Sequence, residues 1–122
     1  MNITSFDPSA LLNESEQMEF LSLGAFDKGE CGAFWSGPGP TSPWEMHPEC
    51  DELLHVLEGK IEVEILPEDG SESITTFVHA GGFVIIPQGC WHRQTMLEKT
   101  KEFYTTPGAT LHSTSDDPRA QD

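Results

Sequence analysis

Residues 52–66 read Glu52-Leu53-Leu54-His55-Val56-Leu57-Glu58-Gly59-Lys60-Ile61-Glu62-Val63-Glu64-Ile65-Leu66. From Lys60 onward, Ile61, Val63 and Ile65 alternate with Lys60, Glu62 and Glu64. That alternation is the signature of a strand with one buried face and one wet face. Glu52–Glu58 is mostly apolar, and Gly59 breaks it from the second run. Its inward set is expected to be Glu52, Leu54 and Val56, with His55 facing the other way. The fold class follows from this pair of strands and from what surrounds it.

Toward the C-terminus, Pro67-Glu68-Asp69-Gly70 is a turn, followed by a strand over Ile74–His79. Gly81-Gly82 turns the chain into Phe83–Ile86, which Pro87 stops; Trp91–Leu97 and Lys101–Thr106 complete the run. Toward the N-terminus, strands are expected over Glu19–Phe26 and Cys31–Ser36. The breaker-rich segment Gly37-Pro38-Gly39-Pro40-Thr41-Ser42-Pro43 is expected to be an exposed crossover, since neither a helix nor an interior strand tolerates it. Residues 5–20 form the one plausible helical region, a short turn that Asp7 caps, Pro8 opens and Ala10, Leu11 and Leu12 follow. Residues 107–122 hold few apolar anchors and read as a surface arm or frayed end. Eight or nine short strands at this spacing predict an all-β sandwich or barrel, in one domain spanning residues 1–122.

Composition agrees. Eleven Gly and nine Pro suit many short strands joined by turns. A length of 122 residues allows one domain with a genuine core. The formal net charge of −15 opposes binding to nucleic acid and to anionic membrane surfaces. No apolar run approaches the roughly 20 residues that span a bilayer. Residues 1–30 lack the pattern of a secretory signal. Cys31, Cys50 and Cys90 are odd in number with no C-x-x-C pair, so a reducing, cytoplasmic location with free thiols is expected.

The chemistry concentrates in Trp44-Glu45-Met46-His47-Pro48-Glu49-Cys50-Asp51-Glu52. Two apart on an extended chain, Glu45 and His47 point to one face, and Glu52 opens the next strand. Three ligand types are thus expected to converge from the arms of a hairpin-like turn. After Pro87-Gln88-Gly89 the chain returns with His92. Two imidazoles with one or two carboxylates suit a divalent transition metal such as iron, manganese, zinc or nickel.

These residues carry a resemblance to the cupin superfamily, small double-sheet jelly rolls with a metal in the barrel mouth. The first cupin motif runs Gly, five residues, His-x-His, three or four residues, Glu, six residues, Gly. Here Gly39, Glu45-Met46-His47, Glu52 and Gly59 keep every spacing, with Glu45 in place of the first His. The second motif runs Gly, five residues, Pro-x-Gly, two residues, His, three residues, Asn. Gly81, Pro87-Gln88-Gly89, His92 and Met96 keep that spacing too, with Met96 in place of the Asn. The resemblance covers residues 39–96 and implies a jelly-roll barrel, a metal held by Glu45, His47, Glu52 and His92, and a homodimer. It implies no single reaction, because the superfamily hosts dioxygenases, isomerases and non-enzymatic binders.

Glu45 has three readings: a fourth ligand, a catalytic acid or base beside a metal held by the other three, or a rim residue of a site without metal. Met96 is expected to make the pocket wall more apolar. His55, His79 and His112 lack ligand-type neighbours and read as surface or tail residues. Cys50 and Cys90 flank the ligand segments and read as packing residues, because no activating base can be placed beside them. Phe34, Trp35, Trp44, Phe83, Trp91, Phe103 and Tyr104 form a large aromatic payload for the core and a subunit contact. The function expected is a metal-binding cupin acting on a small organic molecule as a metal-dependent dioxygenase or isomerase. The alternative is a cupin that binds a sugar or carboxylic acid without turning it over; a sensor domain is disfavoured by the lack of a helical output region.

Overall fold

Along Glu52–Glu58 the inward side chains change from Glu52 through Leu54 to Val56, and along Trp91–Met96 from His92 through Gln94 to Met96. One end of the fold is therefore polar and the other apolar. The computed structural model describes residues 3–7 and 18–120 and shows ten strands. These are β1 (Glu19–Phe26), β2 (Gly29–Ser36), β3 (Trp44–Met46), β4 (Glu52–Glu58) and β5 (Lys60–Leu66), then β6 (Ile74–His79), β7 (Phe83–Ile86), β8 (Trp91–Met96), β9 (Thr100–Thr106) and β10 (Leu111–Ser113). They form two five-stranded antiparallel sheets, ordered β1-β2-β9-β4-β7 and β10-β3-β8-β5-β6. No helix occurs among the described residues. The helical turn expected near Pro8–Leu12 lies outside them.

The core fills the apolar end between the sheets. Phe34, Leu54, Val56 and Ile86 come from the first sheet and Ile61, Val63, Val78 and Met96 from the second. Burying each such side chain contributes on the order of 2 kcal/mol. Met96 is packed inside this cluster and does not border the ligand cavity, so the expectation that it lines the pocket wall is corrected. The alternation in β5 works as expected, with Ile61 and Val63 fully buried.

Three expectations change with the topology. The arms carrying Glu45 and Glu52 do not pair as a hairpin: β3 lies in one sheet and β4 in the other, so the ligands meet across the sandwich. The 37–43 segment is tied along β8, with Gly39 N–H donating to Met96 O, Ser42 N–H to Gln94 O, and Thr41 bridging Thr95. The segment after Pro107, read as a surface arm or frayed end, includes a further edge strand, because Leu111–Ser113 pairs with β3 as β10. A backbone with free edge groups recruits such a segment even where its side chains bury little.

Gly59 links β4 to β5 at φ +89°, and a Cβ there would run into the Lys99 carbonyl oxygen. Gly59→Ala is expected to lower stability by more than about 1 kcal/mol, read as a reduced midpoint in urea unfolding.

Candidate metal centre

Each of the four ligand residues is delivered by a different constraint. Glu45 lies in β3 directly opposite His92 of β8 on one side and His112 of β10 on the other. Glu52 opens β4 in the facing sheet. His47 follows β3, and its carbonyl accepts a hydrogen bond from Gly89 N–H at 2.9 Å. Gln88 ties the same loop down, its side chain donating to Pro48 O and its N–H to Asp51 Oδ1. The Pro87-Gln88-Gly89 turn thus holds the loop that carries His47, and the two spaced motifs act as one unit. Gly89 has φ +81°, a conformation that residues other than glycine adopt at a cost.

One ligand atom from each of Glu45, His47, Glu52 and His92 lies within 4.8 Å of the others. Glu52 Oε1 is 3.1 Å from His92 Nε2 and 3.3 Å from His47 Nε2. Thr106 of β9 donates to Glu52 Oε2 at 2.5 Å. Glu45 Oε2 stands 4.0 Å from His92 Nε2 with its side chain 33% exposed, whereas the other three residues are buried. His112 Nε2 lies 3.4 Å from Glu45 Oε1.

The outer nitrogens of both imidazoles are committed. His47 Nδ1 is 3.3 Å from Ala109 O and 3.1 Å from Thr110 Oγ1, and His92 Nδ1 is 3.3 Å from Cys90 O. A carbonyl facing Nδ1 requires the proton there, so each Nε2 turns its lone pair inward. Holding those lone pairs beside a carboxylate requires positive charge between them, from a proton or from a metal. His47 Nε2 is buried and has no hydrogen-bond partner. An orphaned imidazole nitrogen among hard and borderline donors is what a divalent transition ion fits.

Electrostatics sort the four. Despite burial, the imidazoles of His47 and His92 set against it bring the Glu52 carboxyl down to about 2. Burial works against a charged His47, but the Glu52 carboxylate beside it prevails and raises its pKa. Burial, then repulsion from Glu52, raises Glu45.

A cavity of about 630 Å³ borders Glu45 and Glu52, with Phe34, Leu54, Glu102 and Tyr104 on its far walls. All four predicted ligands are brought together, while His55 and His79 stand elsewhere, half-buried and exposed on β4 and β6. Cys31, Cys50 and Cys90 are unpaired. Burial and the Glu52 charge raise the Cys50 thiol, which fits packing better than nucleophilic attack.

Sequence reasoning missed Glu102, Thr106, Thr110 and a site role for His112. Part of the signal was present: Thr100, Glu102, Tyr104 and Thr106 share one parity of β9 and include its three most buried residues. Phe103, the apolar residue that looks inward-facing, lies on the other parity.

The cupin domain family matches residues 36–109, and the chain belongs to it. Oxalate oxidase 1 of Hordeum vulgare is 34% identical over 68 residues, covering 54% of this chain and 34% of that protein. The chain thus spans about a third of that relative's length. The solved structure of a recombinant oxalate oxidase in complex with glycolate superposes with TM-score 0.58 at 26% identity, covering 68% of this chain and 45% of the other. A conserved Streptococcus pyogenes protein of unknown function superposes with TM-score 0.66 at 18% identity, covering 92% and 95%; it shows the fold alone.

Without metal, stability should peak in mild acid. The depressed Glu52 contributes stability that is full above its ordinary 4.5 and lost as pH falls toward about 2. The raised His47 contributes stability that is full below 6.5 and lost as pH rises through its folded value. Glu45, also raised, favours the folded state at the lower pH. EDTA-treated protein should therefore show a higher Tm at about pH 5.5 than at about pH 8, measured by thermal unfolding.

Proposed function

We propose that the protein is a divalent-metal cupin that takes a small organic molecule between its sheets and transforms it by metal-dependent oxidation or isomerisation. The observation that carries this reading is the four-ligand cluster, with the orphaned His47 Nε2 inside it, at the wall of a cavity of about 630 Å³. Its likeness to oxalate oxidases, proteins named for chemistry on a small acid, supports it.

When bound, such a metal acts as a Lewis acid toward a coordinated oxygen. His47, Glu52 and His92, all buried, would hold it, and Thr106, Ala109 and Cys90 orient those ligands. Glu45 borders both the cluster and the cavity. Its raised carboxyl suits taking or giving a proton there. Phe34 and Leu54 give the cavity part of its apolar wall. The second reading, a binder without turnover, is favoured by the count of protein ligands: with Glu45 bound, a tetrahedral ion has no open position.

Elemental analysis after incubation with manganese, iron, zinc or nickel should find about one ion per chain; no uptake from any of them would sink the reading. His92→Ala and Glu52→Ala should each weaken metal retention by about tenfold or more, and Glu45→Ala less. Equal losses would make Glu45 a full ligand.

A second copy is the protein partner that this reading adds. Phe83 and Ile85 stand 61% and 54% exposed on the edge strand β7, and light scattering should return twice the 13.5 kDa chain mass. The three unpaired thiols support a cytoplasmic setting.

A further inference from the structure

The cavity walls are rich in carboxyls and poor in bases. Glu30, Glu45, Glu52 and Glu102 border it, and no lysine or arginine does. The chain has six lysines and arginines, all within the described residues. Arg93 pairs with Glu64 and stacks on Trp44, Lys101 pairs with Glu58, and Lys60 lies over Phe77. Arg119 pairs with Asp117 and donates to the carbonyls of Pro67 and Ser71.

Two of the four carboxyls belong to the metal cluster, where an ion would balance them. Glu30 and Glu102 have no such counter-charge. Glu102 has 0% exposure in the wall of the cavity, and its oxygens are met by the Gln94 amide, at 2.7 and 2.9 Å once that amide is turned to donate. Burial, then the charges of Glu52 and Glu45, hold its carboxyl well above the usual range, so it keeps its proton until a cation stands beside it. Glu30 accepts a hydrogen bond from Tyr104 Oη at 2.7 Å. The remaining walls include the rings of Phe20, Phe34 and Tyr104 and the side chains of Met18 and Leu54. Away from the metal cluster, a carboxylic acid entering this space meets carboxyls, and the one imidazole that borders it, His112, already faces Glu45. An ammonium group meets opposite charge and aromatic faces, both attractive to it.

We propose that the cavity selects a small organic amine, received by the wall carboxyls of Glu30 and Glu102 and packed against Phe20, Phe34 and Leu54, in preference to small acids of the oxalate type. The inference names the ligand class of the cupin cavity and rests on the reading of that cavity as the ligand site.

The test is a charge series on one hydrocarbon frame: 2-phenylethylamine, 2-phenylethanol and 3-phenylpropanoate, with oxalate beside them. Binding is measured by calorimetry on protein of known metal content and again after EDTA treatment. The amine should bind at least about tenfold more tightly than the alcohol, and both acids more weakly still. Glu102→Gln should reduce the preference for the amine with metal content unchanged. Glu30→Gln, a change at a half-buried position, should do the same where the buried variant fails to fold. Equal affinities across the series, tighter binding of either acid, or no binding of the amine would overturn the inference. A protein that holds no metal yet keeps the amine-first order overturns the metal reading and supports this one. A metal-loaded protein that prefers the acids does the reverse.

Discussion

Glu52 enters a closed space at the end of one sheet, and two imidazoles meet it from the other sheet's side, His92 on β8 and His47 just after β3. A carboxylate buried there would be expelled without positive charge beside it, and two imidazole nitrogens would be stranded without the carboxylate. The polar end of the sandwich therefore holds together only as a unit. That requirement explains much of the local sequence. Thr106 faces Glu52 from β9, Cys90 and Ala109 offer carbonyls to the outer imidazole nitrogens, and the Pro87-Gln88-Gly89 turn bonds the His47 loop. The apolar end, packed around Val56 and Ile61, supplies the rigid frame on which the arrangement is built.

The strands and the four clustered residues were legible because both signals are local. Alternation in Lys60–Leu66 and the breakers at Gly59, Gly81 and Pro87 set strand limits within a residue or two of those observed. Those four residues lie at fixed spacings inside two short segments, 45–52 and 87–92, that can be read without knowing how the strands pair. What escaped depends on pairing between distant strands. β9 inserts between β2 and β4, so the inward role of Glu102 and Thr106 appears only when its neighbours are known. The strand nature of Leu111–Ser113 depends on the free edge of β3, which nothing near residue 111 announces. The hairpin expected between Glu45 and Glu52 failed for the same reason, since closeness in sequence does not decide which sheet each arm joins.

The fold and the cavity carry different kinds of information. The cupin architecture brings ligand positions together in proteins that share little else, and it is silent about what they act on. The lining of this cavity is particular to this chain. Placing every lysine and arginine elsewhere while leaving carboxyls inside is a choice of charge, and it bears on ligand choice more directly than a partial likeness to longer oxidases.

β10 has three residues, pairs with β3 alone, and follows the other nine strands along the chain. With the residues just before it, it sets the orientation of His47 and faces Glu45. An edge element held by so few bonds opens at far lower free energy than the core strands. Its release would remove the Ala109 carbonyl, Thr110 and His112 from the centre while the apolar core stayed intact. The chain thus sets its last edge strand beside a buried polar cluster, where local opening reaches the cluster without the sheets parting.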